Sequence, residues 1–415
     1  MPHRSLFYGA AVFIDDHFHA GDPRVTSIKE QIEQAGCHVV GMTGLPKENS
    51  WENLKFASFF IVDWKLHEGS FTDEGGVPMA RASEQLDAQH VAETIEFLKK
   101  LKEIRFAPVF IFTNEDVESV QEHIKKCPEL NGESGPSHIF VKNKSEVLER
   151  GVFDVLSDWL KTAPSAYVLK RWEQEYERAK NALFLDFYNK SVYWPLIMWK
   201  TFEQDSVPQS IELGNLIGRN LASRMTPFDF DLGSYVDAFD AHMPVNQNEY
   251  RAMLQKVLSG ERFLDIKYLH ESSVSPGDIF YDGKKYYYIN VRPECDCFPR
   301  GEVQLDDLPI YLLRGAKLSH TKTIEKYDKA YGSLRESDNE AVLFGLLPDT
   351  TISFRFSDLK IEVWKDWKEK RIGRLLPPFL TRLQLRYSAY LQRPGLPRVP
   401  PEAIKPIEEN QQATQ

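Results

Sequence analysis

The stretch FYGAAVFIDD, residues 7–16, decides the fold of the N-terminal part of this chain. Its apolar run has the length of one strand and lacks polar alternation, which is typical of a strand buried on both faces of a parallel sheet. The run ends in two acidic residues, Asp15 and Asp16. Four more apolar segments of strand length follow along the chain, and helical patterns lie between them.

This alternation predicts βαβ units, and therefore a doubly wound α/β domain with a five-stranded parallel sheet and right-handed crossovers. The strands are predicted at residues 7–14, 38–42, 56–62, 107–112 and 137–141, and the helices at residues 24–35, 83–102, 115–126 and 145–160.

Polar residues follow four of the five predicted strands: Asp15 and Asp16, then Asp63, Thr113 and Lys142. Because the carboxyl ends of parallel strands meet at one edge of a sheet, we expect these side chains to lie close together. Adjacent carboxylates repel one another, and a hard divalent cation such as Mg²⁺ relieves that repulsion. A carboxylate beside such a cation can accept a phosphoryl group, while a lysine and a hydroxyl contact the phosphoryl oxygens. The pattern predicts a phosphoacceptor site.

With all four positions in strand order, residues 5–162 resemble the receiver domain of two-component response regulators. The resemblance implies a flavodoxin-like fold with strand order 2-1-3-4-5. It also implies that Asp63 is the phosphoacceptor and that Asp15 and Asp16 form a Mg²⁺ pocket, with Asp16 as a direct ligand. The main-chain carbonyl of Lys65 would complete the protein ligands of the metal.

The same resemblance makes Thr113 the switch hydroxyl and Lys142 the phosphate-binding lysine. Two neighbours depart from the receiver pattern. Asn143 follows Lys142 where receivers usually have proline, and Asn114 follows Thr113 where they usually have a small residue. A bulky Asn114 is expected to hinder the attacking water and to lengthen the lifetime of the phosphoryl group.

Beyond the receiver-like segment, residues 1–162, the sequence predicts a helical linker or output region over 163–260. A β-rich domain follows over 261–392. Its clearest signal is GDIFYDGKKYYYINV, residues 277–291, where Asp282-Gly283 separates two aromatic runs in the manner of a hairpin. The Pro-rich tail over 393–415 is expected to be mobile.

Several motifs give a narrower resemblance, to the stand-alone response regulators of Detocs-type bacterial anti-phage systems. It implies that a sensor histidine kinase phosphorylates Asp63 and that the chain acts as a sink for leaking phosphoryl signal. No enzymatic reaction beyond transfer to its own aspartate is expected. The motifs are VFIDDHF (12–18), FFIVDWKL (59–66), SPGDIF (275–280), YYYINVRPECDC (286–297) and RPGLPRVP (393–400).

Composition limits the remaining functions. A formal net charge of -10 argues against a polyanion-binding chain, so a nucleic-acid partner is not favoured, and four cysteines exclude a disulfide-built scaffold. The N-terminus lacks the features of a signal peptide, and no apolar run reaches the ~20 residues that span a bilayer. We expect a cytoplasmic protein with no membrane partner.

Two alternatives remain open for the C-terminal half. It could bind a protein or a nucleic acid under the control of phosphorylation, or it could be an enzyme without a recognisable motif. Separately, the long helix predicted over 165–190 could pair with a second copy to form a homodimer.

Overall fold

The computed structural model describes residues 6–66, 80–131, 138–205, 207–225, 229–242, 247–395, 397 and 399–404. The chain divides into two compact units, the first containing Met1–Leu196 and Leu213–Met243, the second Ile197–Glu212 and Pro244–Gln415. The helical region predicted over 163–260 is therefore shared between the units. Most of the tail predicted to be mobile lies outside the described residues.

The first unit contains a five-stranded parallel sheet in the order β2-β1-β3-β4-β5, which confirms the predicted fold class. Helices connect the strands along the chain. The strands are β1 (Ala10–Ile14), β2 (His38–Met42), β3 (Phe59–Val62), β4 (Val109–Thr113) and β5 (Ile139–Asn143), and the helices are α1 (Pro23–Gln34), α2 (Ala80–Ile104), α3 (Val117–Lys125), α4 (Lys144–Arg150) and α5 (Val152–Leu160).

The strands are apolar on both faces because each face supports its own core. Successive residues of a strand point to opposite faces. Phe13 and Phe59 therefore pack with α1 and α5 on one side. Their neighbours Val12 and Phe60 pack with α2 and α3 on the other. All four side chains are fully buried.

The last strand of the sheet and the helix predicted after it both differ from the prediction. Strand β5 runs to Asn143, two residues beyond the predicted end, and α4 begins at once with Asn143 as its N-cap. The single helix predicted over 145–160 is divided into α4 and α5 at Gly151. This glycine has φ of 90°, a conformation that ends a helix and that side chains disfavour.

Four further helices are α6 (Pro164–Lys190), α7 (Trp194–Gln204), α8 (Gln209–Arg224) and α9 (Gly233–His242). The long helix predicted after residue 165 is confirmed as α6. Among the described residues, no helix is both long and apolar enough to cross a membrane.

A buried ammonium fixes α6 to the amino end of β3. The Nζ atom of Lys170 donates to the carbonyl and the hydroxyl of Ser58 at 3.0 and 2.7 Å, and to the Glu173 carboxylate at 2.8 Å. Glu173 also pairs with Arg105 at the end of α2. Burial lowers the pKa of Lys170, against the attraction of Glu173. The network therefore depends on every charge in it having a partner.

The second unit contains a seven-stranded antiparallel sheet in the order β12-β13-β9-β8-β7-β14-β6, so the predicted β-rich C-terminal region is confirmed. A separate two-stranded sheet consists of β10 and β11. The strands of the two sheets are β6 (Phe263–Asp265), β7 (Asp278–Tyr281), β8 (Tyr286–Asn290), β9 (Pro309–Leu318), β10 (Tyr327–Asp328), β11 (Ser333–Leu334), β12 (Glu340–Leu347), β13 (Thr350–Val363) and β14 (Arg371–Leu375).

The helices of this unit after residue 244 are α10 (Gln247–Arg262), α11 (His320–Lys326), α12 (Trp364–Trp367) and α13 (Phe379–Gln392). Strands β7 and β8 form the predicted hairpin around Asp282-Gly283. Residues 350–363 form the single long strand β13. Its register against β9 shifts between Phe354 and Leu359, where the chain departs from regular pairing.

The Lys170 network gives a test of how α6 is held. We expect Lys170→Ala to lower the free energy of unfolding by about 3 kcal/mol, because it leaves the half-buried Glu173 carboxylate without one of its two cations. The control Lys161→Ala removes an exposed ion pair with Asp158 and should change stability by less than about 1 kcal/mol. Urea unfolding of the full chain, followed by circular dichroism, measures both. Equal effects of the two substitutions would contradict this role for Lys170.

Candidate functional site

Strand pairing brings the acidic residues of the first unit together. Ile14 and Val62 are direct partners in the parallel pair of β1 and β3, so the residues that follow them are neighbours. The backbone N–H of Asp63 donates to the Ile14 carbonyl at 2.8 Å, and that of Asp15 donates to the Met42 carbonyl at 2.9 Å. Both carboxylates therefore start from backbone that the sheet holds rigidly.

The carboxylates of Asp15, Asp16 and Asp63 form one cluster. Each offers an oxygen that lies within 4.8 Å of the oxygens of the other two. Asp15 is fully buried, Asp63 is 6% exposed, and Asp16 is half-buried. The backbone N–H of His17 donates to Asp15 Oδ1 at 3.0 Å and fixes the orientation of that carboxylate.

The lysine of this cluster is Lys144. Its Nζ atom lies 2.8 Å from Asp15 Oδ2 and 2.5 Å from Asp63 Oδ2, and its side chain is only 2% exposed. Lys144 is the first residue of α4, and its position is set by the N-cap Asn143, whose side chain accepts from the backbone N–H of Ser145 at 2.9 Å. The ammonium bridges the ends of β1 and β3.

Burial and charge act in opposite directions on these groups. Burial raises the pKa of Asp63 to about 6, although the Lys144 ammonium opposes the rise and the charges of Asp15 and Asp16 add to it. Burial disfavours the charged form of Lys144, but the two carboxylates outweigh it and raise the pKa of the lysine. The lysine therefore stays charged, and the cluster carries more negative than positive charge.

Lys142, the lysine predicted for this site, lies elsewhere. Its ammonium pairs with Glu146 at 2.7 Å, one turn along α4, and lies over the ring of Phe140. The difference arises because β5 continues through Lys142 to Asn143, so the residue that follows the strand is Lys144. The sequence contains a usable signal, because Asn143 before Ser145 is a typical N-cap and predicts the helix start at Lys144.

Thr113 ends β4, the neighbour of β3, and is fully buried. Its hydroxyl oxygen accepts from the backbone N–H of Glu115 at 3.0 Å. The Glu115 carboxylate lies 3.2 Å from the ammonium of Lys65, which links the loops after β3 and β4. The role of the Lys65 main-chain carbonyl as a metal ligand stays a prediction.

A second polar bridge joins the loops after β1 and β4. Arg24 Nη1 donates to Asn114 Oδ1 at 3.0 Å, while the same guanidinium pairs with Asp22 at 3.0 Å. Asn114, the residue that departs from the receiver pattern, is thus held by a side chain of α1. The proposed effect of Asn114 on water access stays a prediction.

The donor set of the cluster fits a hard cation. Three carboxylates supply oxygen ligands, which Mg²⁺ and Ca²⁺ prefer, and the single lysine does not balance their charge. A divalent ion held by Asp15, Asp16 and Asp63 would remove the excess. The acidic cluster, which is largely buried, could therefore bind a metal ion.

The position of Lys144 leads to a prediction about this metal. Its ammonium competes with a cation for two of the three carboxylates, so Lys144→Met should tighten Mg²⁺ binding by about tenfold or more. Lys142→Met is the matched control and should leave the affinity nearly unchanged, because that ammonium pairs with Glu146. Calorimetric titration of Mg²⁺ into the folded variants measures this. The assignment would be wrong if Lys142→Met tightened binding and Lys144→Met did not.

Comparisons with known proteins add no family name to this geometry. No protein-family model matches the chain, and no curated protein matches it in sequence. The receiver-like character of the first unit is therefore carried by its strand order and by the cluster of Asp15, Asp16, Asp63 and Lys144.

Proposed function

We propose that this chain is a response regulator that accepts a phosphoryl group on Asp63 from a sensor histidine kinase. The observation that carries the proposal is the largely buried Asp63 at the carboxyl end of the central strand β3, beside two further carboxylates and a buried lysine. A purely structural ion pair would need neither three carboxylates nor their common position at the strand ends.

The chemistry follows from the charges in the cluster. A carboxylate oxygen of Asp63 forms a bond to phosphorus as the bond from phosphorus to the imidazole nitrogen of the kinase phosphohistidine breaks, and the imidazole keeps that electron pair. Mg²⁺, when held by Asp15, Asp16 and Asp63, supplies positive charge to the phosphoryl oxygens. Lys144 already contacts Asp63 and would exchange that contact for a phosphoryl oxygen.

Thr113 would then act as the hydroxyl donor to the product. Its oxygen now accepts from the Glu115 backbone, so its proton is available to a new acceptor at the end of β4. Phosphorylation brings roughly -1.5 to -2 charges to the site. The new charge attracts the Lys144 ammonium and the Thr113 hydroxyl, and both lie on elements, α4 and β4, that can transmit the change.

We further propose that consumption of phosphoryl groups is itself the function, as in a phosphate sink of an anti-phage signalling system. The support is the sequence resemblance to Detocs-type response regulators. In this role the chain takes phosphoryl groups from a leaking kinase and releases them as phosphate by hydrolysis, without acting on a separate substrate.

The second candidate is a binding module that phosphorylation controls. Its support is a set of exposed apolar side chains at the end of α6 and in the segment that follows, because exposed apolar patches of this kind mark interaction surfaces. A second copy of the chain, forming a homodimer, is the partner that this surface suggests first. The residues are Leu185, Tyr188, Tyr193 and Leu196, each at least 60% exposed.

Phosphotransfer to Asp63 can be tested directly. With acetyl phosphate as the phosphoryl donor and with Mg²⁺, wild type should give a retarded band on a phosphate-affinity gel. Asp63→Asn should give none, because an amide cannot form the acyl phosphate, and EDTA should abolish the wild-type band. The control Asp158→Asn, an exposed carboxylate on α5, should behave as wild type. A retarded band in Asp63→Asn would overturn the proposal.

The two roles of the phosphorylated chain predict different results. A sink should remove the phosphoryl group from the kinase and release phosphate through repeated cycles, with no change in the mass of the particle in solution. A controlled binding module should instead change its oligomeric state on phosphorylation, and Tyr188→Glu should prevent that change. Light scattering during the phosphotransfer reaction distinguishes them.

A further inference from the structure

The second unit contains a large cavity that the phosphoacceptor chemistry does not use. Its volume is about 970 Å³, and helices α10, α11 and α13 with strand β12 supply most of its wall. All of its lining residues lie within 247–395, a range that the structure describes without a gap. The volume is at the upper end of the range typical of small-molecule sites.

The interior of the cavity is mainly aliphatic. Leu346 and Leu375, which line it, are also buried members of the core of this unit, so the cavity floor rests on packed side chains. Nearer the solvent, Leu254 of α10 is 43% exposed and Ile324 of α11 is 59% exposed. Such exposed aliphatic side chains around a cleft favour an apolar occupant over a heterocycle that needs hydrogen bonds at its edge.

The charged residues of the lining are mostly cations. Four lysine or arginine residues line the cavity, with Asp349 as the single carboxylate, although the whole chain has a net charge of -10. Arg251 is engaged, since it pairs with Asp349 at 3.2 Å. Arg382 pairs with Glu336, and Arg262 stacks on the ring of Phe379 at 4.8 Å.

The fourth cation of the lining, Lys317, and the nearby His320 are available to a ligand. Within the described part of the chain, the side chains of Lys317 and His320 have no hydrogen-bond or ion-pair partner. They lie at the end of β9 and the start of α11 and are both exposed. A lysine and a histidine three residues apart thus both line an otherwise largely apolar cavity, and their N–H groups can donate to an anionic head group.

The backbone at the rim supports a built site. Asp349 has φ of 52°, the only positive φ of a non-glycine residue in the described chain. Its carboxylate accepts from Arg251 and from Gln255 at 3.1 Å, which joins the β12–β13 turn to α10. A register shift between Phe344 and Leu347 bends β12 at the same place. Strained backbone and bulges of this kind are enriched at ligand sites.

We propose that this cavity binds a small amphipathic anion, an aliphatic chain that carries a carboxylate or a phosphate head group. Lys317 and His320 contact the head group, and Leu254 and Ile324 enclose the first part of the chain. The site lies entirely in the second unit, and the proposal does not depend on phosphorylation of Asp63.

Calorimetric titration with dodecanoate and dodecyl phosphate, both below their micelle concentrations, tests this proposal. We expect saturable binding at one site per chain for at least one of them, and the stronger of the two identifies the head group. Shortening the chain to decanoate or decyl phosphate should weaken binding roughly tenfold, as the loss of two buried methylenes requires. Dodecyltrimethylammonium, which has the opposite charge, should bind at least roughly tenfold more weakly.

Two exposed positions supply the variants, each with a matched control on the same or an adjoining element. Lys317→Glu should weaken dodecanoate binding about tenfold or more, whereas Lys322→Glu, the same change outside the cavity, should not. Leu254→Glu should weaken it similarly, whereas Val257→Glu, on an exposed part of α10 outside the lining, should not. Circular dichroism shows whether each variant is folded.

The proposal would be overturned by any of three results. These are the absence of saturable binding for both anions, equal affinity for the cationic amphiphile, and equal losses in the cavity variants and their controls. In the last case the aliphatic probes bind the general apolar surface of the chain instead of this cavity.

Discussion

The contact between the Lys144 ammonium and the carboxylates of Asp15 and Asp63 is the interaction on which the first unit depends. Three acids at the ends of two adjacent strands would repel one another in a low-dielectric setting. The lysine reduces that repulsion without removing it, because it contacts two of the acids and carries one charge. The cluster therefore keeps a net negative charge and could hold a divalent cation.

The same contact suggests how the site could respond to phosphorylation of Asp63. Lys144 begins α4 directly after β5, so a change of its partner acts on a helix terminus with no intervening loop. The Lys170 network lies at the opposite end of β3 and holds α6 to the amino edge of the sheet. A buried lysine thus lies at each end of β3, the strand that precedes the proposed phosphoacceptor. Lys144 contacts Asp63 at the carboxyl end, and Lys170 of α6 contacts Ser58 at the amino end.

The sequence predicted the sheet, its acids and the C-terminal hairpin, because each depends on a local pattern. Continuous apolar strands followed by Asp15 and Asp63 need no knowledge of distant contacts. Lys142 was predicted at the acidic cluster, whereas the structure places Lys144 there. Because β5 is an edge strand, a polar residue such as Lys142 is tolerated within it and does not mark the strand end. The cavity of the second unit is assembled from residues far apart in sequence, and no single segment predicts it.

Chemical identification of the phosphorylated residue tests most directly whether Asp63 is the phosphoacceptor. Borohydride reduces an acyl phosphate of aspartate to homoserine, so reduction of the phosphorylated chain, followed by peptide mass spectrometry, locates the acceptor. We expect homoserine at position 63 after incubation with a phosphoryl donor and Mg²⁺, and none after incubation without the donor. Homoserine at another aspartate, or unchanged Asp63 in a chain that has taken up phosphate, would contradict it.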